Sequence, residues 1–348
     1  MSIRLGKHQI GLSYPPFVIA EMSGNHNQSL DRALEIVTAA AKTGAHALKI
    51  QTYTPDTMTL DLKENEFFID DPKSLWKGKS LYDLYKNAMT PWEWHKPIKD
   101  QCEKLGMMFF STPFDHTAVD FLEKLNVDFY KIASFENTDL PLIKAVAKTG
   151  KPVIISTGMA TMAEIAETVE AAKSAGCKDL ILLKCTSAYP ATAKDANLMT
   201  IANMRQTFKT EVGLSDHTMG VGVALASVAL GATVIEKHFT LKRSDGGVDS
   251  AFSMEPDEFK LLVTESEKAW QSIGTVNYER GEDESKSLVF RRSLYISEDI
   301  KKGEIFNPKN IRAIRPGYGL PTKYIDLFIG KPAKTDLKKG TPVKFEHV

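Results

Sequence analysis

Cysteine is scarce in this sequence. The 348 residues include three cysteines, Cys102, Cys177 and Cys185, which are far apart and form no CxxC pair. An odd number of isolated cysteines argues against a disulfide framework and against a structural zinc site. The pattern is typical of a reducing compartment, so we expect a cytoplasmic protein.

The sequence also lacks an excess of charge of either sign. It carries 44 Lys plus Arg and 44 Asp plus Glu, so its formal net charge is zero. A protein without a basic field is not expected to hold nucleic acid or an anionic membrane non-specifically. Any anion that it binds must therefore be held locally, by a few placed groups.

Long apolar runs are missing as well. Residues 1–17 contain no continuous apolar stretch of the kind that a secretory signal needs. The longest weakly polar run, residues 221–235, is too short to span a bilayer and is interrupted by glycine. We therefore expect neither a secretory signal nor a membrane partner.

The sequence does contain a strand-then-helix pattern that repeats eight times. Apolar or β-branched runs alternate with amphipathic stretches that begin at Ser, Thr or Asp and end at Gly. This alternation predicts an α/β fold with a parallel sheet covered by helices, and eight units predict a (β/α)8 TIM barrel. The structural rival is a doubly wound open sheet, but no GxGxxG follows the first strand. The predicted strands are residues 17–21, 47–52, 107–112, 128–134, 152–158, 180–186, 211–215 and 233–239.

The repeating pattern stops after Gly274, where we place a domain boundary. We expect a barrel domain over 1–274, a polar linker over 275–289 and a small β-rich domain over 290–348. The last part contains a near-repeat, residues 299–306 against 336–343, which predicts a pseudo-symmetric unit.

One connection in the barrel is unusually long. Residues 54–90 separate the second strand from the helix that precedes the third, and they are rich in aromatic side chains. Long ordered βα loops on a barrel are usually functional. We predict that this segment is a lid or wall for a substrate, and the alternative is a loop packed onto the barrel rim.

Two of the apolar strands carry a lysine. By alternation, Lys49 and Lys131 lie on the strand faces that point into the barrel. A buried lysine needs a partner anion. Beside Ser and Thr hydroxyls, the two ammonium groups would form a pocket for phosphate and carboxylate groups. The alternative is a pair of structural ion pairs with Glu21 or Glu136.

Two histidines, His217 and His238, end the seventh and eighth strands. These strands are neighbours in a barrel, so both imidazoles can reach one point. Two histidines without cysteine leave most coordination positions open, which suits exchangeable Mn²⁺ or Mg²⁺ more than closed tetrahedral Zn²⁺. A third histidine, His26, is a candidate for sugar contact or for loop structure.

Several motifs, in chain order, resemble those of the sialic acid synthases. They are IAEMSGNHN, ALKIQTYTPDTMTL, FFSTPFD, YKIASFE, ISTGMAT, KCTSAYP, VGLSDH and VIEKHF. The tail, with NIRAIRPGYGL, resembles the C-terminal antifreeze-like (SAF) domain of that family. Within the family, residues 21–27 and 75–95 are most similar to pseudaminic acid synthases. The resemblance covers nearly the whole chain.

The resemblance implies a barrel plus SAF domain, a domain-swapped homodimer, phosphoenolpyruvate as donor and a divalent metal, Mn²⁺ or Mg²⁺, on His217 and His238. The residues that it places at the phosphate and carboxylate groups of phosphoenolpyruvate are Lys49, Thr112, Lys131, Ser134, Ser156, Ser187 and Ser215. The residues that it places at the sugar are Glu21, Glu136, Tyr189 and Asp249. It also implies that Arg315 reaches the partner subunit's site. The catalytic residues would be Glu21, Glu136, Lys131 and Asp249. Many members have Asn where this chain has the shorter Ser187.

The implied reaction joins phosphoenolpyruvate to 2,4-diacetamido-2,4,6-trideoxy-L-altrose, with loss of phosphate by C–O cleavage. Alternatives within the family are N-acetylneuraminate and legionaminate synthases. Other enzymatic alternatives are an eight-carbon sugar acid synthase and an aldolase that forms a Schiff base at Lys131. From a different class, the chain could be an inert sugar-binding or ice-binding module.

Overall fold

The computed structural model of the protein describes residues 2–72 and 74–348. Met1 and Lys73 lie outside it, so the predicted barrel domain is described without these two residues and the predicted lid segment without Lys73. The chain divides between Gly274 and Thr275 into two compact units. The first contains the barrel, and the second is small and rich in β-structure.

A short antiparallel hairpin precedes the barrel. It consists of strands β1 (Ile3–Leu5) and β2 (His8–Ile10). Apolar side chains of both strands pack with Phe17 and Met108 in the buried cluster at the N-terminal end of the barrel, so the hairpin covers that end. We did not predict this hairpin, because strands of three residues are too short to show a hydrophobic period.

Eight parallel strands form a closed barrel. Each strand pairs with the next along the chain, and the last pairs with the first. The predicted (β/α)8 fold is therefore confirmed, and no strand boundary differs from the prediction by more than two residues. The strands are β3 (Phe17–Glu21), β4 (Ala47–Thr52), β5 (Met108–Pro113), β6 (Tyr130–Ile132), β7 (Val153–Ser156), β8 (Leu180–Cys185), β9 (Glu211–Ser215) and β10 (Val234–His238).

Helices connect and cover these strands. They are α1 (Leu30–Thr43), α2 (Pro55–Met58), α3 (Leu81–Ala88), α4 (His95–Lys104), α5 (His116–Leu125), α6 (Leu140–Ala147), α7 (Met162–Ser174), α8 (Met199–Phe208), α9 (Gly222–Ala229) and α10 (Pro256–Ile273). Helix α1 begins after Ser29, whose hydroxyl accepts a hydrogen bond from the Arg32 N–H at 3.2 Å. It ends at Gly44, whose φ of +87° lies in the left-handed region. Among the described helices, none is long and apolar enough to cross a membrane.

The side chains inside the barrel change from apolar to polar along the strands. Ala47 and Phe129 belong to the apolar cluster at the N-terminal end. Two residues further along the same strands, the inward positions carry Lys49 and Lys131. The intervening residues, such as Ile50, pack against the helices. The predicted alternation is therefore confirmed for both lysines, and the C-terminal mouth of the barrel is polar.

The second unit is built around one short antiparallel pair of strands. Helix α11 (Glu282–Lys286) precedes strands β11 (Ser293–Ile296) and β12 (Ile311–Ile314). Its apolar core includes Phe306 and Phe328, whose rings meet edge to face with centroids 5.5 Å apart.

The predicted near-repeat forms a reciprocal contact in this unit. The Asp299 carboxylate accepts a hydrogen bond from the Lys339 N–H at 2.8 Å, and the Asp336 carboxylate accepts one from the Lys302 N–H at 2.8 Å. Between them, Ile300 bridges to Leu337 in an antiparallel arrangement. The two copies of the turn therefore make equivalent contacts with each other, which fits the predicted pseudo-symmetry.

Candidate active site

A cavity of about 370 Å³ opens at the C-terminal ends of the strands. One half is lined by strand ends and the loops that follow them, and the other by the segment 54–90. A larger groove, of about 860 Å³, lies on the outside of the barrel and is lined by α1, α4 and α10. Chemistry in this fold occurs at the C-terminal face, so the smaller cavity is the candidate site.

Two lysines and two glutamates form a buried cluster beneath this cavity. Lys131 Nζ lies 2.8 Å from Glu236 Oε1 and 2.9 Å from Glu236 Oε2. Lys49 Nζ lies 3.2 Å from Glu236 Oε1 and 3.1 Å from Glu21 Oε2. Both lysines are therefore paired with carboxylates, and Glu236 is shared between them.

The ionisation of this cluster follows from burial and from the shared carboxylate. Burial alone would raise the pKa of Glu236, but the ammonium groups of Lys131 and Lys49 hold it well below its ordinary value. Burial raises the pKa of Glu21, which Lys49 only partly offsets. Burial also lowers the pKa of Lys131, against the attraction of Glu236. Glu236 is therefore the carboxylate of this cluster that the two ammonium groups hold ionised.

Hydroxyl groups from three strand ends surround the cluster. Lys49 Nζ donates to Thr112 Oγ1 at 3.3 Å, and Ser215 Oγ donates to Glu236 Oε1 at 3.5 Å. Ser156 Oγ is buried and has no hydrogen-bond partner among the residues that the structure describes. A buried hydroxyl without a partner is costly, so Ser156 is available to a bound ligand.

A glycine keeps space open beside these hydroxyls. Ser134 Oγ accepts a hydrogen bond from the Gly158 N–H at 3.1 Å. A Cβ atom at Gly158 would overlap Ser187 Oγ and lie 2.7 Å from Ser134 Oγ. The backbone of Gly158 therefore approaches both serines as only glycine permits.

The two predicted histidines lie side by side at the mouth. The ring centroids of His217 and His238 are 5.4 Å apart. His217 Nδ1 lies 3.0 Å from Thr186 O, so that nitrogen donates, and Nε2 shows no hydrogen bond within the described part of the chain. His238 Nδ1 lies 3.7 Å from Asp249 Oδ2, beyond hydrogen-bond range, and has no hydrogen-bond partner among residues 2–72 and 74–348. Burial lowers the pKa of His238 well below its ordinary value, which keeps the ring neutral.

Cys185 is an unpredicted member of the site. Its Sγ atom lies 3.9 Å from His217 Nδ1 and 3.9 Å from Ser187 Oγ. Burial alone would raise the pKa of this thiol, but the contact with His217 lowers it to about 7. The same contact raises the pKa of His217 against the effect of burial.

Asp249 lies at the cavity beside His238 and is held by Ser23. The Ser23 hydroxyl donates a short hydrogen bond to Asp249 Oδ2, and Gln51 Nε2 donates to Ser23 Oγ at 3.2 Å and to Glu21 Oε1 at 3.0 Å. Ser23 has a φ of +47°, in the left-handed region that non-glycine residues seldom occupy. Such backbone strain is found at functional sites.

Glu136 lines the cavity from the loop after β6. Its Oε2 atom is buried and has no hydrogen-bond partner among the described residues. Burial, and then the nearby Asp139, raise the pKa of Glu136 to about 7. A carboxyl group with this pKa can accept or donate a proton near neutral pH.

Segment 54–90 supplies one wall of the cavity. Trp76 is fixed there by a hydrogen bond from its Nε1 to Val248 O at 3.0 Å, and its ring lies 6.3 Å from that of Tyr189. Tyr189 in turn lies 4.4 Å from the His217 ring. The apolar and aromatic side chains of the segment that line the cavity include Met58, Ile69, Leu81, Leu84, Tyr85 and Ala88.

His26 and Arg315 are not among the residues that line the cavity. His26 is fully buried in the loop after β3, where its ring packs edge to face on Trp94 at 5.5 Å and its Nε2 lies 3.3 Å from Thr90 Oγ1. It therefore belongs to loop structure. Arg315 belongs to the second unit, where its side chain is exposed.

Glu236 and Gln51 belong to the site but were not predicted to be part of it. Ser23 and Cys185 were not recognised either. For Glu236, Gln51 and Cys185 the signal available was an inward position on the barrel strands, which alternation fixes. Ser23 lies after the end of β3, in a 3-10 turn, and has no such signal. Which of these groups pair across the barrel depends on three-dimensional distances.

Comparisons with known proteins cover nearly all of the chain. The profile of the NeuB family matches residues 36–278, and that of the SAF domain matches residues 291–348. The chain is 45% identical over 328 residues to a pseudaminic acid synthase of Campylobacter jejuni, covering 94% of this chain and 95% of that protein. It is 42% identical over 338 residues to a pseudaminic acid synthase of Helicobacter pylori, covering 96% of this chain and 98% of that protein. The crystal structure of an N-acetylneuraminic acid (sialic acid) synthetase from Leptospira borgpetersenii, in complex with citrate, matches with a TM-score of 0.74 and 33% identity, covering 83% of this chain and 95% of that one.

Proposed function

The chain belongs to the NeuB family, as its motifs predicted, and we propose that it is a pseudaminic acid synthase. It would condense phosphoenolpyruvate with 2,4-diacetamido-2,4,6-trideoxy-L-altrose and release inorganic phosphate. The observation that carries this proposal is the buried cluster of Lys49, Lys131 and Glu236 directly beside the histidine pair at one mouth of the barrel.

The lysine cluster suits phosphoenolpyruvate, which carries a phosphate and a carboxylate. In a protein of zero net charge, Lys49 and Lys131 supply the local positive charge that such an anion needs. Glu236 pairs with both ammonium groups, and Glu21 pairs with that of Lys49. Thr112, Ser134, Ser156 and Ser215 would donate hydrogen bonds to the remaining oxygens, and Ser156 has no competing partner among the described residues.

The histidine pair suits a divalent cation. Among the described residues, His217 bonds through Nδ1 and shows no hydrogen bond at Nε2, and the buried Nδ1 of His238 has no hydrogen-bond partner. Two nitrogen ligands with the other positions open fit Mn²⁺, which imidazole favours over Mg²⁺. When bound, such a cation would polarise the aldehyde oxygen of the sugar.

The reaction then needs a nucleophilic carbon, a proton and one water. The C3 carbon of phosphoenolpyruvate forms a bond to the aldehyde carbon, and the aldehyde oxygen takes up a proton to become a hydroxyl. Water adds at C2, and phosphate leaves with cleavage of the C–O bond. Lys49 and Lys131 stabilise the anionic groups throughout. Glu136 is the better placed proton carrier, because Glu21 is held by Lys49 and Gln51 whereas Glu136 faces the cavity with a pKa of about 7.

The aromatic wall favours a sugar with apolar substituents. The proposed substrate has a methyl group at C6 and a second acetamido group, where N-acetylmannosamine has hydroxyls. Met58, Ile69 and Leu81 would contact the methyl groups, while Asp249 would bind a sugar hydroxyl. A wall of this kind disfavours the more polar sugar, because its hydroxyls would lose hydrogen bonds to water.

The second unit supports a proposal about assembly. We infer that the chain forms a domain-swapped homodimer in which the segment 275–289 links the units and Arg315 reaches the partner subunit's site. The support is that Arg315 is exposed, in a loop of the unit that matches the SAF domain. A guanidinium group there would hold a polar group of the sugar bidentately.

A cytoplasmic location fits this chemistry. Cys102, Cys177 and Cys185 are all free and buried, as in a reducing compartment. Phosphoenolpyruvate is also a cytoplasmic metabolite, so the proposed donor is available there. Fractionation of cells that express the chain would test this location.

Phosphate release tests the proposed function directly. The enzyme would be given phosphoenolpyruvate, with and without Mn²⁺, and one of three aldehydes: the diacetamido trideoxy sugar proposed here, its legionaminate counterpart or N-acetylmannosamine. We expect the highest kcat/KM for the first sugar and dependence on Mn²⁺. A preference for either of the other sugars would assign the chain to another branch, and no phosphate release with any of them would support an inert binding module.

A further inference from the structure

An ion pair lies behind the two histidines, on the outer face of the barrel. Asp216 precedes His217 and Lys237 precedes His238, and their side chains lie 2.7 Å apart. Both side chains are at most 2% exposed. Alternation along the strands turns this pair away from the cavity, while Ser215 and Glu236, the residues before them, point inward.

The Lys237 ammonium makes a second contact that spans His217. It donates to Thr218 O at 2.7 Å, and the Thr218 N–H donates to Asp216 Oδ1 at 2.9 Å. The residues on both sides of His217 are therefore held by one side chain, which belongs to the residue next to His238. The backbone adds one more bond, from the Asp216 N–H to Glu236 O at 2.9 Å. Asp216, Lys237 and Thr218 are called the clamp below.

Packing alone does not explain a charged pair at this position. Burying two charges costs several kcal/mol, and apolar residues of similar volume are often as stable or more stable. What an apolar pair cannot do is fix the loop after β9 by directed hydrogen bonds. The directed hydrogen bonds of the clamp therefore fix the position of His217 relative to His238.

We propose that Asp216 and Lys237 are positioning residues that set the spacing of the two imidazoles and thereby the affinity of the site for a divalent cation. This inference rests on the metal assignment in the proposed function. Residues that hold metal ligands in place typically change metal affinity by about 10- to 100-fold when they are replaced.

Binding of Mn²⁺ alone, followed by the electron paramagnetic resonance signal of the free ion, tests the clamp without turnover. The main variant is D216N/K237M, which removes both charges and so leaves no unpaired ion in the interior. Its matched control is R205M/E211Q. Arg205 pairs with Glu211 at the other end of the same strand and, like Lys237, also donates to backbone carbonyls, Val212 O and Gly231 O. His217→Ala is titrated alongside.

We expect the Kd for Mn²⁺ to rise about tenfold or more in D216N/K237M and to stay within about twofold of wild type in the control. Unchanged affinity in a folded D216N/K237M enzyme, with binding lost in His217→Ala, refutes the clamp alone. An equal loss in R205M/E211Q refutes it too, because the effect would then be general destabilisation. If His217→Ala binds Mn²⁺ as wild type does, the metal assignment fails and the clamp fails with it. Should D216N/K237M not fold, K237R, which keeps the charge but changes the donor geometry, takes its place with an expected rise in Kd.

Discussion

The Lys131 ammonium is held by both oxygens of one carboxylate, that of Glu236, at 2.8 and 2.9 Å. Lys49 shares the same carboxylate at 3.2 Å. Two lysines in the barrel interior thus have their counter-ion before any substrate arrives. The free-energy cost of burying the lysines is therefore met before an anion binds. The incoming anion only has to reorganise the contacts of the lysines.

Replacing Lys131 by Met should raise the KM for phosphoenolpyruvate by about 100-fold or more, because truncating one partner of a buried charge contact typically costs 2 to 5 kcal/mol. Glu236 keeps Lys49 as a partner, so the variant should fold. Lys184→Met is the matched control: Lys184 follows the inward Leu183 on β8, so alternation turns it away from the interior, and its ammonium donates to Thr186 Oγ1 at 2.6 Å. Steady-state kinetics decide, and an unchanged KM in the Lys131 variant contradicts the role.

Glu136 should give the protein a pH-dependent stability. Its pKa is about 7 when folded and 4.5 ordinarily, so between these values the folded state binds more protons than the unfolded state. The free energy of unfolding therefore falls as pH rises through this window, by at most about 3 kcal/mol. Glu136→Gln should abolish this loss. Urea denaturation at about pH 5 and about pH 8 measures it, with the exposed Glu170→Gln as control, and a parallel pH profile in wild type and Glu136→Gln would refute the assignment.

Gly158→Ala should weaken phosphoenolpyruvate binding about tenfold while the protein stays folded. The added methyl group would displace the hydroxyls of Ser134 and Ser187, and overpacking of this kind typically costs 1 to 3 kcal/mol. Gly222→Ala is the control, because a Cβ atom there meets nothing within 4 Å. Equal KM values for phosphoenolpyruvate in both variants would remove the two serines from the proposed pocket.

Trp76→Phe should raise the KM for the amino sugar several-fold and leave that for phosphoenolpyruvate unchanged. The variant keeps an aromatic ring but loses the hydrogen bond to Val248 O, which holds the wall in place. Trp270→Phe loses a comparable bond, to Leu12 O at 2.9 Å, on the outside of the barrel. If the Trp270 variant shows the same rise, the wall has no special role in sugar binding.

Mixing two inactive variants should restore activity if Arg315 acts on the partner subunit. In a dimer of Lys131→Ala with Arg315→Ala, one of the two sites would have both residues intact. Half of the dimers are mixed after exchange, so about a quarter of wild-type activity is expected. Action of Arg315 within its own subunit would restore none, and the assay after denaturation and joint refolding distinguishes the two cases.

The sequence was sufficient to predict the barrel and the inward lysines, because both follow from local periodicity. Eight runs of apolar residues predicted eight strands, and a period of two placed Lys49 and Lys131 inside. It was not sufficient to predict their shared partner. Glu236 is 105 residues from Lys131 in the chain, and only the closed geometry of the barrel brings them into contact.

The role of His26 was also beyond the reach of sequence patterns. A histidine between strand and helix is compatible with ligand binding and with packing, and its motif does not distinguish the two. In the structure its ring packs on Trp94 and is part of the loop structure. Burial lowers the pKa of His26 to about 4, so the ring is neutral. The contact depends on residues 68 positions later in the chain, outside any local window.

The N-terminal hairpin has a consequence for the order of events during turnover. Because it covers one end of the barrel, both reactants must come in by the opposite end. The lysine cluster lies deeper than the aromatic wall, so a sugar already seated would obstruct the path of the enol phosphate. We therefore expect compulsory-order kinetics. The smaller anion would bind first, and inorganic phosphate would leave after the new sugar.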